Sequence, residues 1–85
     1  MVISSLVVET IPECTEAVAA KLPGLDGVEV HGIEGCKIVI TIERPTVDES
    51  HDTANEISFW EGVLIVNLIY LNFEDDETIY PDGVQ

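Results

Sequence analysis

The sequence predicts an α+β domain of β-α-β-β-α-β order, the ferredoxin-like arrangement of a four-stranded antiparallel sheet with two helices on one face. Three observations predict it. Val28–His31 and Lys37–Glu43 alternate apolar and polar residues at strand period around a glycine-containing break. Two stretches opened by helix-start residues, Pro12 and Thr46, separate that pair from the other strands. Lastly, Gly62–Phe73 is an uncharged run rich in Val, Ile and Tyr, too short for a membrane helix of about 20 residues.

Ile3–Glu9 reads as the first strand, with Ser5, Val7 and Glu9 on one face and Ser4, Leu6 and Val8 on the other. Pro12 suits a first helical turn, Glu13 and Glu16 sit near its positive end, and Val18 and Leu22 form an apolar stripe. Pro23-Gly24 stops that helix. Asp26-Gly27 turns into the second strand, Val28–His31, and Gly32–Cys36 is expected to form the hairpin. The third strand, Lys37–Glu43, places Ile38, Ile40 and Ile42 on one face and Val39, Thr41 and Glu43 on the other.

Pro45 ends that strand, and Thr46 with Glu49 has the spacing of a capping box. The helix that follows, over Val47–Phe59, has a thin stripe: Val47, Ser50 or His51, Ala54, Ile57 and Trp60. Gly62 starts the last strand. Residues 1–73 are thus expected to form one domain, and 74–85, with four consecutive acids, to be an acidic disordered tail. The expected strand order is 4-1-3-2.

Charge narrows the function. Seventeen acidic residues face three basic ones, Lys21, Lys37 and Arg44, for a net charge of −14 in 85 residues. Such a chain repels nucleic acid and anionic membranes and attracts cationic partners. The N-terminus has no basic segment ahead of an apolar one, so a cytoplasmic location is expected, with no membrane insertion. Cys14 and Cys36 lack Cys-x-x-Cys spacing, and a lone Cys near a helix start reads as a packing residue.

With both helices on one face, the other face is bare. A one-residue slip would exchange the two faces, so register decides what looks outward. Leu64, Val66, Leu68 and Tyr70 are expected inward, because the alternate set contains Asn67. The outward set is then Ser5, Val7, Glu9, Glu29, His31, Val39, Thr41, Glu43, Ile65, Asn67, Ile69 and Leu71. Val7, Val39, Ile65, Ile69 and Leu71 make an apolar platform carrying small polar groups at Ser5, Thr41 and Asn67. Glu9, Glu29 and Glu43 border it. Such a surface suits an amphipathic segment with Arg or Lys at its ends. Burying about 300–400 Å² of it would supply roughly 8–10 kcal/mol gross. Ordering a flexible peptide offsets much of that. A homodimer formed sheet to sheet would cover the same patch.

Catalytic signals are poor. Acylphosphatases of this topology hold phosphate with an Arg after the first strand, but Thr10–Thr15 contains Glu13 and no basic residue. Arg44, before Pro45, reads as a surface residue. Metal-carrying domains of this topology place paired cysteines in the same loop, where Cys14 stands alone. His31 and His51 are single and lack ligand spacing. A nucleic-acid platform of this fold needs aromatics on strands one and three, and neither strand has one. The chain is therefore expected to be neither an enzyme nor a carrier of metal or cofactor.

Ser5-Leu6-Val7-Val8, the short turn before Val28-Glu29-Val30, and above all Glu61-Gly62-Val63-Leu64-Ile65-Val66-Asn67-Leu68-Ile69-Tyr70 resemble the NapD family. Those are cytoplasmic chaperones of the catalytic subunit of the periplasmic nitrate reductase. The resemblance implies a non-enzymatic protein that binds the twin-arginine signal peptide of the reductase precursor on its sheet side. It also implies that export is held back until the molybdenum cofactor is inserted. The alternative is an acidic regulatory or ligand-sensing domain that homodimerises through its sheet.

Overall fold

A computed structural model describes residues 2–73, with side chains through Ile69; the acidic segment 74–85 lies outside the described residues. Strict alternation builds the centre. Along β1 (Val2–Thr10) every second residue is buried, and Ile38, Ile40 and Ile42 of β3 (Lys37–Arg44) are fully buried. The complete order is β1, α1 (Thr15–Lys21), β2 (Val28–Glu34), β3, α2 (Val47–Ser58) and β4 (Val63–Phe73). All pairings are antiparallel and the spatial order is β2-β3-β1-β4, which leaves β2 and β4 as the edges. This is the expected ferredoxin-like α+β fold.

The core lies between the sheet and the helices. Leu6, Val8, Val18, Leu22, the three isoleucines of β3 and Ile57 form its centre, with Val28 at the margin. The first helix is shorter than expected. Pro12–Cys14 and Leu22–Gly24 are 3₁₀ turns flanking a seven-residue α-helix. Pro23 has no N–H to donate to an α-helical turn, so the last turn tightens instead. The N-cap of α2 forms as expected: Thr46 Oγ1 accepts the Glu49 N–H at 3.1 Å.

The thin stripe of α2 is held by a polar pair. Ser50, rather than His51, points inward, and its hydroxyl meets that of Ser4 at 2.7 Å in a buried hydrogen bond. A second buried hydroxyl pair, Thr10 with Thr15, ties the end of β1 to the start of α1.

Three expectations need correction. The hairpin turn is only Gly35-Cys36, with Gly35 at φ 61°; Gly32, Ile33 and Glu34 belong to β2. A bulge at His31 absorbs the extra residue, since Val30 pairs with Ile40 and Gly32 with Val39. Arg44 is not a free surface residue. Its guanidinium bonds Asp26 at 2.8 Å and Glu49 at 3.0 Å, linking the turn before β2 to the first turn of α2. These two carboxylates, Glu49 foremost, hold its pKa above the ordinary value.

The third correction concerns β4. Bulges interrupt its pairing with β1 at Leu64 and at Ile69. Leu64, expected inward, is 66% exposed, and Val63 packs against the core instead. Beyond Ile69 the alternation reverses: position 70 stands opposite Ser5, and position 71 opposite Ser4.

Candidate peptide-binding surface

Cross-strand register assembles the open face as rows. Glu43 of β3 stands opposite Ile3 of β1. The next row runs Glu29, Thr41, Ser5 across β2, β3 and β1. The third is Gly32, Val39, Val7, Asn67, and the fourth Glu34, Lys37, Glu9, Ile65. With strands about 4.8 Å apart, Val39, Val7 and Ile65 lie within one helix diameter of each other. Val39 and Ile65 are exposed, so the centre of the face is apolar and uncovered among the described residues.

Nine of the eleven residues read as a platform therefore share this face: Ser5, Val7, Glu9, Glu29, Val39, Thr41, Glu43, Ile65 and Asn67. Ile69 is exposed but occupies the bulge, where alternation no longer assigns it a side. Leu71 is a correction. Its backbone stands opposite Ser4, in the row of the helix-covered face, because the bulge shifts the register by one; its side chain lies outside those described.

The structure adds residues that sequence reasoning did not place. Ile3 joins the face as the half-buried neighbour of Ser5 in the same alternation, a signal that extending the period back by two would have found. Glu34 reaches it only because of the bulge at His31. Lys37 stands between Glu9 and Glu34 in the paired rows, so positive charge interrupts the acidic border at that end. The opposite end, with Glu29 and Glu43, has none within its rows. Here His31 Nε2 shares a 2.8 Å hydrogen bond with Thr41 Oγ1 and lies 3.8 Å from Glu29 Oε1.

Chemically, this face can hold an apolar side of a partner over Val39, Val7 and Ile65 while cationic groups meet Glu29 and Glu43. Among the described residues no three His, Cys, Asp or Glu side chains cluster as a metal site, and no helix is long and apolar enough to cross a membrane. Cys14 serves packing: it sits against Gly62, whose φ of 89° starts β4 and whose missing side chain leaves it room.

Fold and face together define a small ferredoxin-like domain with an open, apolar, acid-bordered sheet face. Residues 1–75 match the family model described as NapD protein, and the chain belongs to that family. It is 37% identical over 68 residues to the protein named chaperone NapD of Paracoccus pantotrophus. That match covers 80% of this chain and 61% of the relative's length. The solution structure of the E. coli Tat proofreading chaperone protein NapD superposes with a TM-score of 0.75. It covers 94% of this chain and 88% of that one at 24% identity, a likeness of fold.

Proposed function

We propose that this chain is a cytoplasmic, non-enzymatic chaperone that binds the twin-arginine signal peptide of the periplasmic nitrate reductase catalytic-subunit precursor, delaying export until maturation. The observation that carries the reading is the uncovered row Val39, Val7, Asn67 beside Glu29 and Glu43. Membership of the NapD family and a relative named as a chaperone support it. The peptide's apolar stretch lies over Val7, Val39 and Ile65, and its arginines sit at the Glu29–Glu43 end, away from Lys37. Apolar burial supplies the affinity, while each exposed ion pair adds only about 0–1 kcal/mol and selects orientation.

Calorimetric titration with a synthetic signal peptide tests this, beside a copy with both arginines changed to alanine. Tight binding is expected, weaker for the alanine copy and lost in Val39→Glu. No heat with either peptide, together with a dimer that Val39→Glu dissociates, would move the assignment to the sheet-to-sheet dimer.

A further inference from the structure

A second surface lies on the helix side of the sheet, beyond the proposed signal-peptide face. Between α2 and β4 runs an apolar cleft of about 120 Å³ lined by Leu6, Val47, His51, Ala54 and Leu68, with the two hydroxyls of Ser4 and Ser50 at its floor. It continues along Val66 toward Ser58. The cleft exists because α2 presents Ser50 and Ala54 where larger side chains would have closed it. Leu68 stands opposite the buried Leu6, yet is 58% exposed.

The adjoining edge of β4 is open. Among the described residues no strand pairs with its outer side, and between its two bulges Ile65–Leu68 is a regular strand. Gly62–Phe73 carries no charged residue and no proline, the usual protections of an edge. Unpaired backbone groups beside an apolar cleft are the two halves of a strand-addition site: backbone bonds give affinity and pockets for alternate side chains give specificity.

Charge decides between occupants. On a 100° helical wheel, Asp48 and Asp52 lie on the crest of α2, beyond the row of Val47 and His51 that lines the cleft. No Lys or Arg lines it. A second copy added edge to edge would set two α2 helices side by side. Each carries Asp48 and Asp52 on its crest and no basic residue, so like charges would come together. A basic segment meets the opposite situation. The aliphatic stems of its Lys or Arg side chains cover Leu68 and Val47, and their heads reach Asp48 and Asp52.

We propose that the outer edge of β4, with the α2–β4 cleft, is a docking site for an extended polypeptide segment that alternates basic and apolar residues and pairs as a fifth strand along Ile65–Leu68. The probe is a short synthetic peptide alternating lysine and valine, titrated against the full chain. A copy N-methylated at every backbone nitrogen has the same charge but offers no N–H from either edge. The expected result is slowed amide exchange along Ile65–Leu68, with affinity falling about tenfold or more for the N-methylated copy and for Leu68→Lys. Val39→Glu, on the open face, leaves this binding unchanged, which separates it from the signal-peptide reading. Equal affinity for the N-methylated copy would overturn the proposal, since plain ionic attraction would then suffice. Loss of binding in Val39→Glu would overturn it too, by moving the probe to the open face. A peptide-free dimer dissociated by Leu68→Lys would overturn it in favour of a second copy.

Discussion

The two edge strands of the sheet solve the same problem in opposite ways. β2 carries Glu29, His31 and Glu34, two-residue turn chemistry at its end and a bulge at its centre, so its free side offers little to another strand. β4 is longer, uncharged and exposed at Leu64, Ile65, Leu68 and Ile69, and its two bulges leave Ile65–Leu68 regular between them. The open face of β2, with Glu29, Gly32 and Glu34, is also less apolar than that of β4. The contrast teaches how protection is distributed: it lies on the edge that flanks only the open face, and is missing from the edge that borders both the open face and the α2–β4 cleft.

Both edges begin at a glycine of positive φ, and the two differ in what stands opposite. A side chain at Gly27 would run into the backbone carbonyl of Glu43, whose N–H also donates to Gly27 O at 2.8 Å. At Gly62 the obstacle is the Cys14 side chain. Strain at positive φ costs about 1–3 kcal/mol and steric overlap about as much again, so Gly27→Ala should destabilise by about 3–5 kcal/mol in urea unfolding. Gly62→Ala should cost about 2–3 kcal/mol, because a side chain gives way more easily than a backbone. The reverse order would show that the entry to β4 is the more rigid of the two.

A smaller effect probes the helix beside β4. Ser50→Ala leaves the buried Ser4 hydroxyl without its partner and should cost about 1–2 kcal/mol, read from the same unfolding curves. No loss would mean that the cleft admits water to replace the bond.

The smallest effect on stability tests the edges themselves. Ile69→Lys, at an exposed bulge, should change stability by less than about 0.5 kcal/mol. It should nonetheless suppress light scattering at about pH 4, near the isoelectric point of about 4.1, where net charge no longer keeps copies apart. Glu34→Val should leave scattering at that pH close to wild type. If Glu34→Val instead raises scattering by as much as Ile69→Lys lowers it, the two edges are alike and the comparison fails.

Much of this was legible in the chain. Ile38, Ile40 and Ile42 declare their face by period alone, and Thr46 with Glu49 announces α2, because both signals are local. The platform from Ser5 to Asn67 follows from the same alternation. What escaped is what alternation cannot carry. The bulges at His31, Leu64 and Ile69 each insert one residue, and the last moves Leu71 into the row of Ser4. Ser4 and Ser50, 46 positions apart, look like weak core residues until the fold brings their hydroxyls together. Arg44 likewise finds Asp26 only through the pairing of β2 with β3, and Glu49 through the turn from β3 into α2.

The pairing of β1 with β4 joins Val2 to Phe73, the first and last residues described. Such a contact closes nearly the whole chain into one loop, and non-local pairings of this kind make folding slow. The open face is complete only after that loop has closed, so it cannot form on a partly synthesised chain that lacks β4. A ligand lying across Val39, Val7 and Ile65 touches strands from both ends of the loop. It would act as a clasp, favouring the closed chain in proportion to its concentration over its dissociation constant.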